Sequence, residues 1–302
     1  MSSPAASSDL AALPLGLEGR QVRERGTLPE LLAGQGGTDD IVDPALFGRL
    51  EGRPVLEVGG LGDGQDPVRL PIAVTSACTL GATFSIPLEQ AWALLPATER
   101  LVPVRVTPRR AAITFYGTSV RRGGLGPYHE LGVALPVLLD AERVPAPLPP
   151  ALWRDPALGM YCAEMPVDSE RSAIVGALLA GLPRVVGDTS VDISAKGGTA
   201  RLSMDGRTMA TIDVELSRWP RVRRHDLSHQ IYSLLEGRIV RTRSSMVGEG
   251  YRGRRGAATV SLGDHRRAQR LARLELSRRP LEVSVLRRVN RILWAPEDIG
   301  PI

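Results

Sequence analysis

The residues best placed to do chemistry stand in two short stretches. In Gly123 to Val137, GGLGPYHELGVALPV, a glycine-rich turn hands over to a strand whose polar start carries Tyr128, His129 and Glu130, and whose continuation to Leu139 is almost wholly apolar. Charged side chains are seldom buried bare, so Glu130 is either paired with a nearby donor or perturbed for acid/base work. Strand alternation sets Tyr128 and Glu130 on one face and turns His129 to the other, towards the surface. The second stretch is GALLAGLPRV, in which a helix-like run ends in Gly181-Leu182-Pro183-Arg184. Arg184 cannot be deprotonated, and its planar fork suits a carboxylate or phosphate. The plainest structural role for both charges is an ion pair with each other.

With Gly126-Pro127-Tyr128-His129-Glu130 and Ala134-Leu135-Pro136-Val137 in view, the chain resembles the acetoacetate decarboxylase superfamily. In that family a Gly-x-Tyr-x-Glu turn places a catalytic glutamate beside a lysine that forms a Schiff base with a β-keto acid. The lysine closes a helix ending in Gly-aromatic-Pro-Lys, and Arg184 stands in its place here. A Schiff base requires a neutral amine, which a guanidinium does not supply. The family's active-site arginine would fall near Ala77, and Thr75 to Leu80 contains none. Gly263-Asp264-His265 before a short helix, then Arg279-Pro280-Leu281-Glu282-Val283, extends the likeness to about Thr79 to Trp294. The resemblance implies homo-oligomeric assembly and the catalytic set Glu130, Arg184 and Tyr128. It adds Arg184, Tyr116, Leu182 and Pro183 as substrate contacts.

At 302 residues and 43% hydrophobic content, the composition is that of a soluble globular protein. Among 38 basic residues Lys196 is the only lysine, and it falls at a hairpin tip where a solvated side chain is expected. The arginine runs 218–224, 252–255 and 287–291 are short and scattered, which reads as solvated faces or subunit contacts and not as a nucleic-acid surface. His225 and His229 flank Asp226 without completing a zinc site, so neither metal nor cofactor is expected. Cys78 and Cys162 lie far apart, and no run reaches the length of a membrane span. A cytoplasmic setting follows as the expectation.

The elements that must position these residues are mainly strands. Residues 1–20 are expected to be disordered. Residues 21–75 form an N-terminal extension, serving as a lid or oligomer arm, with short helices at Leu28 to Leu32 and Pro44 to Leu50, the latter capped by Asp43. The glycine-rich stretch 55–64 is read as a strand plus turn, because Pro67 and Pro71 prevent the helix that a nucleotide loop needs. The domain proper, 76–302, is expected to be an antiparallel β barrel or cone with a few short helices. After the strand Leu80 to Ile86, Pro87 opens a helix with Leu88, Ala91, Trp92 and Leu95 on its inner face. Strands follow at 102–120, and an irregular connection is expected at Pro145 to Pro150. Gly159 to Pro166 is a strand, and Asp168 or Ser169 caps the helix that buries Val175, Leu178, Leu179 and Leu182. Val186 to Ser194, Ala200 to Met204 and Thr208 to Leu216 form hairpins turned at Lys196-Gly197-Gly198 and Asp205-Gly206. Asp264 is the expected cap of the helix 266–274.

Three functions fit this reading. One is a repurposed enzyme in which Glu130 shuttles a proton and Arg184 holds an anion during a lyase, dehydration or cyclisation reaction on an oxo or carboxylate substrate. Another is a binding protein that kept the pocket and lost the chemistry. The third is decarboxylation of a β-keto acid without the usual lysine.

Overall fold

The strand Ile72–Pro87 has almost every side chain buried on both faces, and such a strand needs a partner layer on each side. The computed structural model describes residues 22–24, 41–51, 53, 55–61, 66–142, 155–216, 222–254 and 256–302. The expected disorder of 1–20, the helix at 28–32, the connection at 145–150 and the start of the 218–224 run lie outside them.

The described strands, in chain order, are β1 (Val22–Glu24), β2 (Leu56–Val58), β3 (Val68–Leu70), β4 (Ile72–Pro87), β5 (Leu101–Pro103), β6 (Arg105–Thr107), β7 (Arg110–Gly123), β8 (Tyr128–Leu139), β9 (Leu158–Glu164), β10 (Asp188–Ile193), β11 (Gly197–Met204), β12 (Arg207–Glu215), β13 (Arg223–Asp226), β14 (His229–Leu235), β15 (Arg238–Gly253), β16 (Ala257–Leu262), β17 (Glu282–Leu293) and β18 (Glu297–Pro301). The described helices are α1 (Pro44–Gly48), α2 (Leu88–Leu94), α3 (Glu170–Ala180) and α4 (Arg266–Ala272). The fold is mainly β with a few short helices, as the sequence implied.

Strands β8, β9, β14, β15, β17, β4 and β7 pair in that order, and β7 pairs again with β8, so the ring closes into a barrel. Closure leaves none of these seven strands as a free edge. All pairings in the ring are antiparallel except β14 with β9. Strand β4 starts at Ile72, inside the segment expected as extension.

Two apolar layers use the two faces of the same strands. Odd residues of β7 and β8, such as Phe115, Leu131 and Leu135, pack outward with Leu202, Met209 and Ile212 of the sheet β10-β11-β12-β16. In β12, Ala210, Ile212 and Val214 are buried while Asp213 and Glu215 are exposed, the alternation expected of a sheet with one wet face. Asp205 and Gly206 both adopt positive φ, 51° and 71°, which is the type I′ hairpin their sequence predicts. The even face of β8, with Tyr128 and Ala134, joins Val120, Cys162, Ile231 and Val289 inside the barrel.

The N-terminal segment packs on both sides of this wall. Helix α1, capped by Asp43 Oδ1 accepting from Ala45 N, sets Leu46 and Phe47 against Ala73, Val247 and Ile292 on the outside. Buried Asn290 fastens it: Oδ1 accepts from the Val42 and Asp43 amides, and Nδ2 donates to Thr75 O at 2.7 Å. The sheet β1-β2-β3 instead contributes Val58, Val68 and Leu70 to the interior cluster.

Three helix details correct the sequence reading. Trp92 is 39% exposed, because α2 buries Ala91, Leu94 and Leu95 in its place. Leu178 is 38% exposed, since α3 turns Ala173, Val175 and Leu179 inward. The cap of α4 is His265 and not Asp264, its Nδ1 accepting from Arg267 N.

Candidate functional site

Glu130 sits on the inward face of β8 and is completely buried. Two local features tie the next segment to it. His129, facing the other way, binds Asp168 twice, through its amide and through Nδ1, each at 2.7 Å. Val167 bridges Glu130 on one side and Val186 on the other, so α3 loops out and both its ends return beside the carboxylate. Ser169 caps α3 by accepting from Ser172 N. At the far end Gly181 takes φ 58°, and the Gly181 and Leu182 amides bond back to Ala177 O and Gly176 O. This glycine-terminated end reverses the chain. A Cβ on residue 181 would also meet Leu234 O at 2.2 Å. The turn Leu182-Pro183 then delivers Arg184 into the interior.

Arg184 is held by its own chain. Nε donates to Met165 Sδ at 3.4 Å, Nη1 to Ser172 O and Oγ at 3.1 and 2.6 Å, and Nη2 to Glu130 Oε2 at 2.9 Å. Four of its five N–H groups are therefore spent on the protein. Its guanidinium carbon lies 5.5 Å from the centre of the Tyr128 ring, a cation–π distance. Gly176 makes room for the side chain, since a Cβ there would lie 2.4 Å from Arg184 Cδ. Burial opposes the Arg184 charge, yet Tyr128 and Glu130 outweigh it and hold its pKa above the ordinary value.

A second arginine enters from the opposite wall. Arg291 Nη1 lies 3.8 Å from Glu130 Oε1, and its Nε donates to Ser244 Oγ at 3.0 Å. β8 and β17 are three strands apart around the ring, so this approach runs across the barrel interior. Arg291 belonged to a run expected on solvated faces or subunit contacts, and that expectation fails at this residue. Against β15, Gly250 pairs with Leu286 and Glu249 with Arg288, which leaves Arg287 as the extra residue of a bulge. The bulge shifts the parity of β17. Arg287 and Arg288 are exposed, Asn290 faces outward, and Arg291 faces in.

Of the residues singled out in the sequence, the fold brings together Glu130, Arg184 and Tyr128. Tyr116 joins them on the same face of β7, with its ring crossing β8 over Gly132; a Cβ there would fall 2.2 Å from the Tyr116 ring. Burial, then the Cys162 and Glu130 charges, push the Tyr116 phenol well above its ordinary pKa; burial and Glu130 raise Tyr128. Both phenols are neutral donors at neutral pH. Leu182 is buried in the interior apolar cluster, and Pro183 is partly exposed in the turn. Lys196 is exposed between β10 and β11 on the outer sheet.

Sequence reasoning missed Arg291, Ser172, Met165, Cys162 and His229. Burial and the neighbouring Glu130 push the Cys162 thiol up to about 12, so it is not a nucleophile. His229 has Nδ1 2.7 Å from Leu227 O, and burial with the Arg291 charge lowers its pKa to about 4, which keeps the ring neutral. One signal was available: a glycine inside a helix, as at 176, costs about 1 kcal/mol and often marks a close approach.

The charges sum to one carboxylate between two guanidinium groups. Glu130 Oε1 is buried and accepts no hydrogen bond among the described residues. A buried carboxylate oxygen in that state is poised to accept a proton or a donor group.

Comparison with known proteins places this geometry. Residues 71–294 match the family model described as acetoacetate decarboxylase. No curated protein sequence matches the chain at a significant level. Among solved structures, the acetoacetate decarboxylase of Legionella pneumophila subsp. pneumophila str. Philadelphia 1 superposes with a TM-score of 0.55 at 13% identity, over 76% of this chain and 88% of that one. An acetoacetate decarboxylase-like enzyme from Sphingomonas wittichii RW1 gives 0.53 at 13%, over 75% and 92%. The enduracididine biosynthesis enzyme MppR, complexed with pyruvate, gives 0.54 at 11%, over 80% and 95%. The family match spans most of the chain, and the solved neighbours share its fold: the chain belongs to the acetoacetate decarboxylase family.

Proposed function

We infer that this chain is a divergent acetoacetate decarboxylase-like enzyme that works without a lysine imine. Glu130 moves a proton on a small oxo or carboxylate substrate in a cofactor-independent lyase, dehydratase or cyclase reaction, of the kind found in specialised metabolism. The observation that carries the reading is the Oε1 of Glu130, which accepts no hydrogen bond among the described residues and is enclosed in the barrel beneath two arginines. Arg184, spent on its own chain, orients the carboxylate. Tyr128 and Tyr116, held neutral, supply hydrogen-bond donors to oxygen charge that develops on the substrate. Leu182 and Pro183 belong to the wall and the turn beside Arg184. A neighbour solved with pyruvate supports a small oxo acid as the ligand class.

Within the expected extension, the sheet β1-β2-β3 acts in this reading as a cover. Val58, Val68 and Leu70 share the apolar cluster of Tyr128, and Arg171 of α3 reaches Asp66 at 3.6 Å and Pro67 O at 3.2 Å. Membership of the family supports homo-oligomeric assembly. Two buried free thiols, Cys78 and Cys162, support a reducing cytoplasmic setting.

The test is turnover of a panel of oxo acids, followed by NMR with borohydride present and absent, in wild type and Glu130→Gln. Loss of turnover by about a hundredfold or more in Glu130→Gln, with no borohydride-trapped adduct on Lys196, is the expected result. Unchanged turnover sinks the mechanism. The four hydrogen bonds that Arg184 makes to its own chain favour one other reading, a binding protein whose ion pair is structural. It predicts ligands that raise the melting temperature and are never consumed.

A further inference from the structure

The two arginines of the barrel interior are not equivalent. Arg184 is bound at four of its five N–H groups and lies against Tyr128 as well, whereas the terminal nitrogens of Arg291 donate no hydrogen bond among the described residues and the side chain keeps 14% exposure. Arg291 is therefore the cation a ligand can reach, through a planar fork matched to a carboxylate. Beside it, 3.8 Å away, the fully buried Glu130 Oε1 has no hydrogen-bond donor among the described residues. An ionised carboxylate only accepts, so the missing partner is an O–H or N–H of the ligand.

We propose that the interior recognises a 2-hydroxy carboxylate, or the enol form of a 2-oxo acid: the carboxylate on Arg291, and the hydroxyl on the adjoining carbon donating to Glu130 Oε1. The short spacing of the two groups requires donor and anion on neighbouring carbons. The net charge of plus one selects the chemistry further. Two guanidinium groups repel the ammonium of a 2-amino acid, and the Glu130 charge disfavours a dianion such as phosphate. The inference rests on reading Glu130 and the interior as a ligand site, and it names the ligand class of that site.

Equilibrium binding to the full-length protein tests it without turnover. Matched sets are titrated by calorimetry and thermal shift: lactate, propionate, lactamide and alanine, then mandelate, phenylacetate, mandelamide and phenylglycine. In at least one set the hydroxy acid is expected to bind about tenfold or more tighter than its deoxy partner, the effect of one hydrogen bond to a charged acceptor. The amide and the amino acid are expected to bind no better than the deoxy acid. Arg291→Lys keeps the charge but loses the fork and should narrow the preference for acid over amide; Arg291→Met should abolish it. Equal binding of hydroxy and deoxy acids, tighter binding of the amino acid, or no binding in either set overturns the proposal, and these wild-type comparisons stand even where a variant does not fold. Hydroxyl selectivity together with unaltered turnover in Glu130→Gln would sink only the catalytic reading, and the converse pair of results only this one.

Discussion

Replacing Gly176 by alanine should reverse sign depending on whether Arg184 is present. On an exposed helix the change is favourable by about 1 kcal/mol, because glycine loses more backbone freedom on folding. Here the new methyl would stand 2.4 Å from Arg184 Cδ and 3.0 Å from Nε. The side chain cannot swing aside freely, since four of its N–H groups are bound. Relief of the clash withdraws the guanidinium from Glu130 Oε2 and leaves a buried carboxylate without its closest partner, a loss of about 3–5 kcal/mol. The balance is a destabilisation of about 2–4 kcal/mol. In an Arg184→Ala background the clash is gone, and the same substitution should stabilise by up to about 1 kcal/mol. Urea denaturation of the four proteins measures both values through the midpoint and slope. A higher midpoint for Gly176→Ala in the wild type, or the same sign in both backgrounds, refutes the packing argument.

Two further expectations concern the buried titratable groups. With a folded pKa of about 4 against an ordinary 6.5, His229 binds a proton in the unfolded chain before it does so in the folded one. Stability should therefore be intact above about pH 6.5 and fall as pH drops towards 4, by at most about 3 kcal/mol from this residue. Denaturation profiles of wild type and His229→Gln across that window should diverge, and parallel profiles would contradict the assignment. The thiols make the other test. Burial raises both Cys78 and Cys162, so Ellman's reagent at mildly alkaline pH should label neither in the native protein and both after unfolding. Rapid native labelling of either would show that the interior is not closed as described.

What could be read from the sequence was what local chemistry fixes. The Gly-x-Tyr-x-Glu turn, the cap at Asp168 or Ser169, the glycine-terminated helix end and the Asp-Gly hairpin each depend on a few neighbouring residues, and each places its element correctly, with Ser169 the cap of the two. Glu130 and Arg184 were found because both lie at such ends. Arg291 was hidden because its orientation depends on a bulge at Arg287, set by pairing with β15 and invisible to a strict alternation of two. Trp92 and Leu178 were misassigned for a related reason. In helices as short as α2 and α3, periodicity gives an apolar stripe, but the layer packed against it decides which edge is covered.

The pairing of β4 with β17 also has a consequence for how the molecule is made. Asn290 holds the carbonyl of Thr75, a residue 215 positions earlier in the chain. Contacts that distant are entropically expensive to form and come late in folding. β4 leaves the ribosome early and gains β7 through a local connection, but its other edge faces water until β17 arrives, a state in which apolar strands are prone to aggregate. Glu130 and Arg184 are by then already in the nascent chain, whereas Arg291 is carried by the closing strand itself. Sealing the ring and completing the charged site are therefore one and the same event.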